Sequence, residues 1–167
     1  MNEIYSDGAV RIRDATLRDV DFLKNHLRLS DKLEIMRSHN HTPEIALKFG
    51  LRHSQFCATV LLNDVPVCMF GVVADKYDDK IGAIWLLGTD GLYKMRFAFL
   101  RLSRKFIRIL SARYPYMFNF VDADNVTTMR WLAWCGATMG LPIPYGVELK
   151  PFCYFTFGKI MKGAQYL

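Results

Sequence analysis

The residues best equipped for chemistry fall in three places along the chain. One is Leu87-Gly88-Thr89-Asp90-Gly91, set between a β-like apolar run and a long helical pattern. Backbone amides at the start of a helix point N–H groups outward, so a glycine-bearing turn there is a candidate cradle for phosphate. The same residues also suit a plain turn in which Thr89 or Asp90 caps the helix, and Asp90 sets a carboxylate where an anion would bind. The second place is an acidic set, Glu34, Asp122 and Asp124. Each is a candidate general base, and each also suits a cap, a surface charge or a strand-end turn. The third is Arg101, Arg104, Lys105 and Arg108, whose spacing puts them on one face of a helix. Arginine-rich faces suit bidentate contacts to phosphate or carboxylate, so a phosphate-bearing ligand, nucleic acid or an acidic protein surface are candidate partners beside plain solvent. No nucleic-acid-binding motif accompanies the face.

Other groups carry weaker signals. His39-Asn40-His41 is a close histidine pair, but its spacing alone defines no metal site and also suits a polar loop before a helix. Cys57, Cys68, Cys135 and Cys153 are scattered among apolar residues without a Cys-x-x-Cys, which reads as buried reduced thiols. Trp85, Trp131 and Trp134 lie within apolar patterns and read as core.

These groups need a scaffold, and the composition supplies one. The chain has 167 residues, of which 51% are apolar and 23% charged, enough apolar surface to exclude a disordered chain. The apolar runs are too short to span a membrane, and the first residues lack the basic and apolar segments of a secretion signal. The expectation is a soluble, intracellular protein. A net charge of +6 favours polyanionic neighbours modestly.

Ala9-Val10-Arg11-Ile12-Arg13 alternates as a first strand after about eight loose residues. Thr16 and Asp19 form a capping box for a helix carrying Val20, Leu23 and Leu27, and Leu33 and Met36 mark a further piece. Thr42-Pro43 opens another helix, with Ile45, Ala46, Leu47 and Phe49 on it. Cys57 to Leu62 and Val65 to Val73 read as strands joined by a tight Asn63-Asp64 turn, with a third central strand at Ile81 to Leu87. A long helix from about Leu92 to Arg113 buries Met95, Phe99, Leu102, Phe106 and Ile109. Met117 to Val121 is a strand, Val126 to Cys135 a short helix closed by Gly136, Pro142 to Gly146 a loop, and Phe152 to Phe157 the last strand. The order β-α-α-β-β-β-α-β-α-β predicts an α/β domain with a mixed sheet.

That order, together with particular residues, resembles the GNAT superfamily of acyl-CoA-dependent N-acetyltransferases. Ile12-Arg13-Asp14-Ala15-Thr16, followed by Asp19 and Leu23, is similar to the opening of many such proteins. Asn125, Arg130 five residues on, and Gly136-Ala137 at the helix end match a second family pattern. The resemblance implies one GNAT-like domain over residues 1–167, with a splayed strand pair made by Ile81 to Leu87 and Met117 to Val121. For an active enzyme it implies acetyl-CoA as cofactor, held by the amides of Leu87, Gly88 and Thr89 and the side chain of Asn125. Two features depart from the family. The glycine spacing does not match its Gln/Arg-x-x-Gly-x-Gly/Ala loop, and Leu132 stands where many members carry a proton-donating tyrosine. Tyr145 and Tyr154 are the phenols that could approach from the tail.

A narrower likeness involves Ile84 to Leu92, Asn119 to Asn125 and Arg130-Trp131-Leu132. These segments resemble GNAT-like proteins of short-tailed bacteriophages that are associated with virion assembly. The likeness implies a phage virion-associated or assembly protein with a degenerate acyl-CoA site. Its partners would be other virion or assembly proteins, with nucleic acid a candidate at the basic face. Its location would be the host cytoplasm or the virion. The alternative is an active N-acetyltransferase acting on an amine of a host protein, nucleotide or small molecule.

Overall fold

A computed structural model describes residues 2–158. Eight strands form one sheet in the order β1-β2-β3-β4-β5-β6-β8-β7. The strands are β1 (Glu3–Asp7), β2 (Val10–Asp14), β3 (Phe56–Leu62), β4 (Val65–Ala74), β5 (Ile81–Gly88), β6 (Tyr116–Asp122), β7 (Thr138–Tyr145) and β8 (Lys150–Phe157). Helices α1 (Leu17–His26), α2 (Leu29–His39) and α3 (Pro43–His53) precede β3. Helices α4 (Gly91–Lys94) and α5 (Arg96–Arg113) link β5 to β6, and α6 (Val126–Trp134) follows β6. Every strand pair is antiparallel except β5–β6, which the α4–α5 crossover makes parallel.

Local chemistry explains most of these boundaries. The Asp19 carboxylate accepts from the Thr16 amide and hydroxyl, completing the box that starts α1. The Thr42 hydroxyl caps α3 by accepting from the Ile45 amide, with Pro43 in the first turn. Asn63 and Asp64 both adopt positive φ (49° and 63°), the paired left-handed geometry of a type I′ hairpin turn.

Several elements differ from the sequence expectation. The expected loose start contains β1, paired with β2 through an irregular register. Its residues are mostly exposed, so no burial pattern announces the strand. The expected loop at Pro142 to Gly146 belongs largely to β7, an outermost strand where the missing N–H of proline is tolerated. The expected long helix is broken at Met95, whose φ of −115° and ψ of 26° leave the helical region. Helix α5 buries Leu102, Phe106 and Leu110, while Ile109 is 51% exposed. Leu102 and Phe106 belong to the cluster with β2–β4 and Leu110 to the one with β6 and β8, so the helix joins two core clusters along its length. In α2 and α3, Ile35 and Leu47 carry the burial, and Met36, Ile45 and Phe49 face outward. Trp134, expected in the core, is 45% exposed.

Helices α1–α3 cover one face of the sheet, with Val20, Leu23, Ile35 and Leu47 against Met69, Trp85 and Leu87. The approach of α3 is close enough that a Cβ on Gly50 would overlap the Trp85 indole. Gly50→Ala is therefore expected to cost about 1–3 kcal/mol by overpacking, read as a lower thermal midpoint accompanied by altered tryptophan fluorescence.

Candidate functional site: a splayed strand pair

The parallel ladder between β5 and β6 ends at Ala83↔Phe118, after three residue pairs. Beyond that point the two strands part while β5 stays paired to β4 and β6 to β8. Strand alternation puts the backbone groups of Ile84, Leu86 and Gly88 on the open edge of β5. Groups from outside the ladder occupy part of that edge. The Asn119 carboxamide donates to the Ile84 carbonyl at 2.7 Å and accepts from the Phe120 amide at 2.8 Å. It acts as a wedge at the base of the gap. The Gly88 amide donates to Asp31 Oδ2 at 2.7 Å, and its carbonyl accepts from the Arg28 amide. Between these, the backbone of Leu86 faces the gap with no partner strand.

Helix α2 bridges the open end of the gap. Asp31, one turn before Glu34, reaches the tip of β5 at Gly88, and Glu34 Oε2 accepts from the Asp122 amide at the tip of β6, at 3.2 Å. Arg28 neutralises Asp31, and Arg37 pairs with Asp122 at 2.6 Å and Asp124 at 3.1 Å. Glu34 has no cationic partner among the described residues. Burial, together with the charges of Asp31 and Asp122, pushes its carboxyl up to about 7 against the hydrogen bonds from the Asp122 amide and Asn125. Burial also raises Asp31, against the pull of Arg28.

A cavity of about 530 Å³ occupies the gap, lined from both sheet faces. On the α5–α6 side it meets Leu102, Phe106 and Trp131, and on the α1–α3 side Trp85, Phe120 and Tyr145. Glu34, His39 and His41 also line it. The Tyr145 ring stacks on Phe120 at 3.9 Å, and burial raises its phenol. Tyr154 is not in the lining; its hydroxyl bonds that of Tyr116 at 3.0 Å.

The residues singled out from the sequence are placed unevenly. Of the three acids, Glu34 reaches the cavity, while Asp122 and Asp124 are held by Arg37. Leu87 lines the cavity; Gly88 and Thr89 do not. The Thr89 amide donates to the Val67 carbonyl, and its hydroxyl accepts from the Gly91 amide. Those turn amides are therefore already paired. Unpaired helix-start amides remain in the first turn of α5, where Lys94 and Arg96 stand nearby. The Asn125 carboxamide caps α6 at Thr128 and faces Glu34 at 3.5 Å. Leu132 is buried.

Arg101, Arg104, Lys105 and Arg108 all lie exposed on α5. Arg101 pairs with Asp7, Arg104 lies 4.8 Å above the Trp134 ring, and Lys105 lies 4.5 Å from the Tyr5 ring. The four cysteines are free thiols, three buried and Cys57 half-buried. His39 and His41 stack at 5.5 Å, and among the described residues no three His, Cys, Asp or Glu side chains group closely enough to share a metal. No described helix is long and apolar enough to cross a membrane. Sequence reasoning missed Asn119 as the wedge and Trp85 and Phe120 as cavity walls. The one available signal was a carboxamide inside the apolar strand Met117-Phe118-Asn119-Phe120-Val121.

A mixed sheet whose parallel pair splays around a cavity, with helices on both faces, defines the class. No protein-family model matches the sequence, and no curated protein sequence matches it. Solved structures do match. A ribosomal L7/L12 α-N-protein acetyltransferase in complex with coenzyme A superposes with a TM-score of 0.69 at 9% identity, over 93% of this chain and 97% of that one. The ribosomal-protein-S5-alanine acetyltransferase from Vibrio fischeri gives 0.66 at 12% identity, over 99% and 100%. Spermidine N-acetyltransferase from Vibrio cholerae, in complex with CoA and spermine, gives 0.62 at 13% identity, over 90% and 96%. The chain has the GNAT acetyltransferase fold.

Proposed function

We propose that this protein is an acyl-CoA-dependent N-acetyltransferase. The observation that carries the reading is the cavity in the β5–β6 gap, with an uncompensated carboxylate, Glu34, in its lining. Coenzyme A carries an extended, amide-bearing arm and an anionic phosphate end. The bare backbone edge at Leu86 suits the arm, and the first-turn amides of α5 with Lys94 and Arg96 suit the phosphates. Bound acyl-CoA supplies a thioester, whose acyl group passes to an amine nitrogen as the C–S bond breaks and coenzyme A leaves as its thiol.

The chain's own residues supply the proton handling. An amine arrives protonated and must lose a proton before its nitrogen can attack. A carboxylate that titrates near 7 is matched to that step at neutral pH. The Leu86 amide is available to a developing oxyanion. Tyr145 supplies a phenol in the cavity wall, where Leu132 offers none.

A second reading keeps the scaffold without the reaction: a bacteriophage virion or assembly role, with protein or nucleic-acid contacts at Arg101, Arg104, Lys105 and Arg108. It is supported by the likeness to short-tailed phage proteins and by the internal pairing of the Gly88 and Thr89 amides. Calorimetric titration with acetyl-CoA and coenzyme A at moderate salt separates the two. Saturable binding with micromolar affinity is expected. No heat and no shift of the melting temperature up to millimolar ligand would overturn the enzyme reading.

A further inference from the structure

The chemistry of the cavity wall restricts what can accept the acyl group. Among its lining residues the ionisable groups are one carboxylate, Glu34, two imidazoles, His39 and His41, the Tyr145 phenol and the Cys68 thiol, whose ionisation burial opposes; no lysine or arginine is present. The nearby acids Asp31 and Asp122 are paired with Arg28 and Arg37. His39 is held towards its neutral form by burial and by His41. An anionic acceptor therefore has no countercharge in the wall. A polyamine, which spreads several ammonium groups along a flexible chain, has one carboxylate to meet.

The remaining surface is aromatic. Phe120 and Tyr145 stack nearly parallel, 11° apart, and Phe152 packs on Tyr145 at 5.4 Å. His39 meets Tyr145 edge-on at 6.3 Å. Across the cavity, the Trp85 indole is fixed by its N–H donating to Ser54 Oγ at 2.9 Å. Rings held this way attract a flat apolar body by stacking and an ammonium through their faces.

Resting on the acetyltransferase reading, we infer that the acceptor is an arylalkylamine-type molecule: one primary ammonium on a flat apolar body. The ammonium sits at Glu34 and the body lies among Trp85, Phe120 and Tyr145. The acceptor class is thus set by one charge and several rings, not by a line of acids.

The test titrates the purified protein with phenethylamine, spermidine and 3-phenylpropionate, with and without saturating coenzyme A. Phenethylamine is expected to bind about tenfold or more tightly than spermidine, and 3-phenylpropionate not at all. Glu34→Gln and Phe120→Leu, checked for an unchanged fold by circular dichroism, are expected to weaken phenethylamine several-fold. Equal or tighter binding of spermidine, binding of the carboxylate, or no amine binding under either condition would overturn the inference. The ligand series needs no variant to give its answer. Phenethylamine binding without any coenzyme A binding would sink the transferase reading alone, and coenzyme A binding with a preference for spermidine would sink the acceptor class alone.

Discussion

Glu34→Gln is expected to lower kcat/KM for acetyl transfer by about a hundredfold or more, the usual weight of a general base, while raising thermal stability at neutral and alkaline pH. The two effects share one cause. Glu34 is half-buried beside other carboxylates, and its carboxyl is pushed up to about 7 against an ordinary 4.5. The proposed transfer needs the ionised form, so wild-type kcat/KM should rise with pH through about 7 and level off above it. Stability runs the other way. Between 4.5 and about 7 the folded protein holds a proton that the unfolded chain has released, so stability falls as pH rises through that window. Glutamine keeps an acceptor for the Asp122 amide and carries no charge to desolvate. The variant's melting temperature should therefore exceed wild type most clearly above pH 7. Melting curves and kcat/KM measured across the same pH series check both halves. A variant that loses stability at high pH along with activity would show that Glu34 serves the fold through its charge.

The largest stability effect is expected far from the cavity, at Asp19. This carboxylate is 1% exposed and joins three elements. It takes two 2.7 Å bonds from the Arg13 guanidinium on β2, two from Thr16 at the start of α1, and one from the Thr59 hydroxyl on β3. Burial alone would raise its carboxyl, but Arg13, the Thr16 amide and the two hydroxyls outweigh burial and hold it below the ordinary value. Asp19→Ala leaves the half-buried Arg13 without its carboxylate, with only the Asp14 carbonyl to donate to, at a cost of about 3–5 kcal/mol. At roughly 2–4 °C per kcal/mol for a chain of this size, the midpoint should fall by about 10 °C. The wild-type contribution is present above the ordinary carboxylate pKa of 3.8 and is lost as pH falls through the depressed folded value. The stability gap between wild type and variant should thus close in strong acid, as read by denaturant titration at several pH values. A midpoint within a degree or two of wild type at pH 7 would contradict this account.

How much of this was legible in the sequence depended on whether the signal was local. The Thr16–Asp19 box, the Thr42-Pro43 start and the Asn63-Asp64 turn are short-range patterns whose chemistry acts within three or four residues, and all three appear in the fold. The parallel pair was readable because a long helix between two apolar runs forces a crossover. Strands β1 and β7 were not readable. Both lie at a sheet edge with little burial; β1 carries no apolar alternation, and in β7 the alternation of Met139, Leu141, Ile143 and Tyr145 is interrupted by prolines that normally mark loops. The break at Met95 leaves no trace in the composition of the helical run. At the site, the sequence offered Glu34, Asp122 and Asp124 as equals. Which of them faces a cavity depends on Arg37, 85 residues from Asp122. Asn119 was invisible as a wedge for the same reason: its role exists only where two strands part.

The two prolines of β7 have a consequence for the molecule in crowded solution. An open sheet has two rims, and a bare rim of N–H and C=O groups invites the strand of another molecule to zip alongside it. Here one rim, β1, is five residues long with a slipped register. The other, β7, carries Pro142 and Pro144 and an irregular register between Met139 and Pro142. Prolines have no hydrogen to offer a newcomer. Both ends of the sheet are thus poor templates for growth, which protects an aromatic-rich chain from lengthening rim to rim into fibrils.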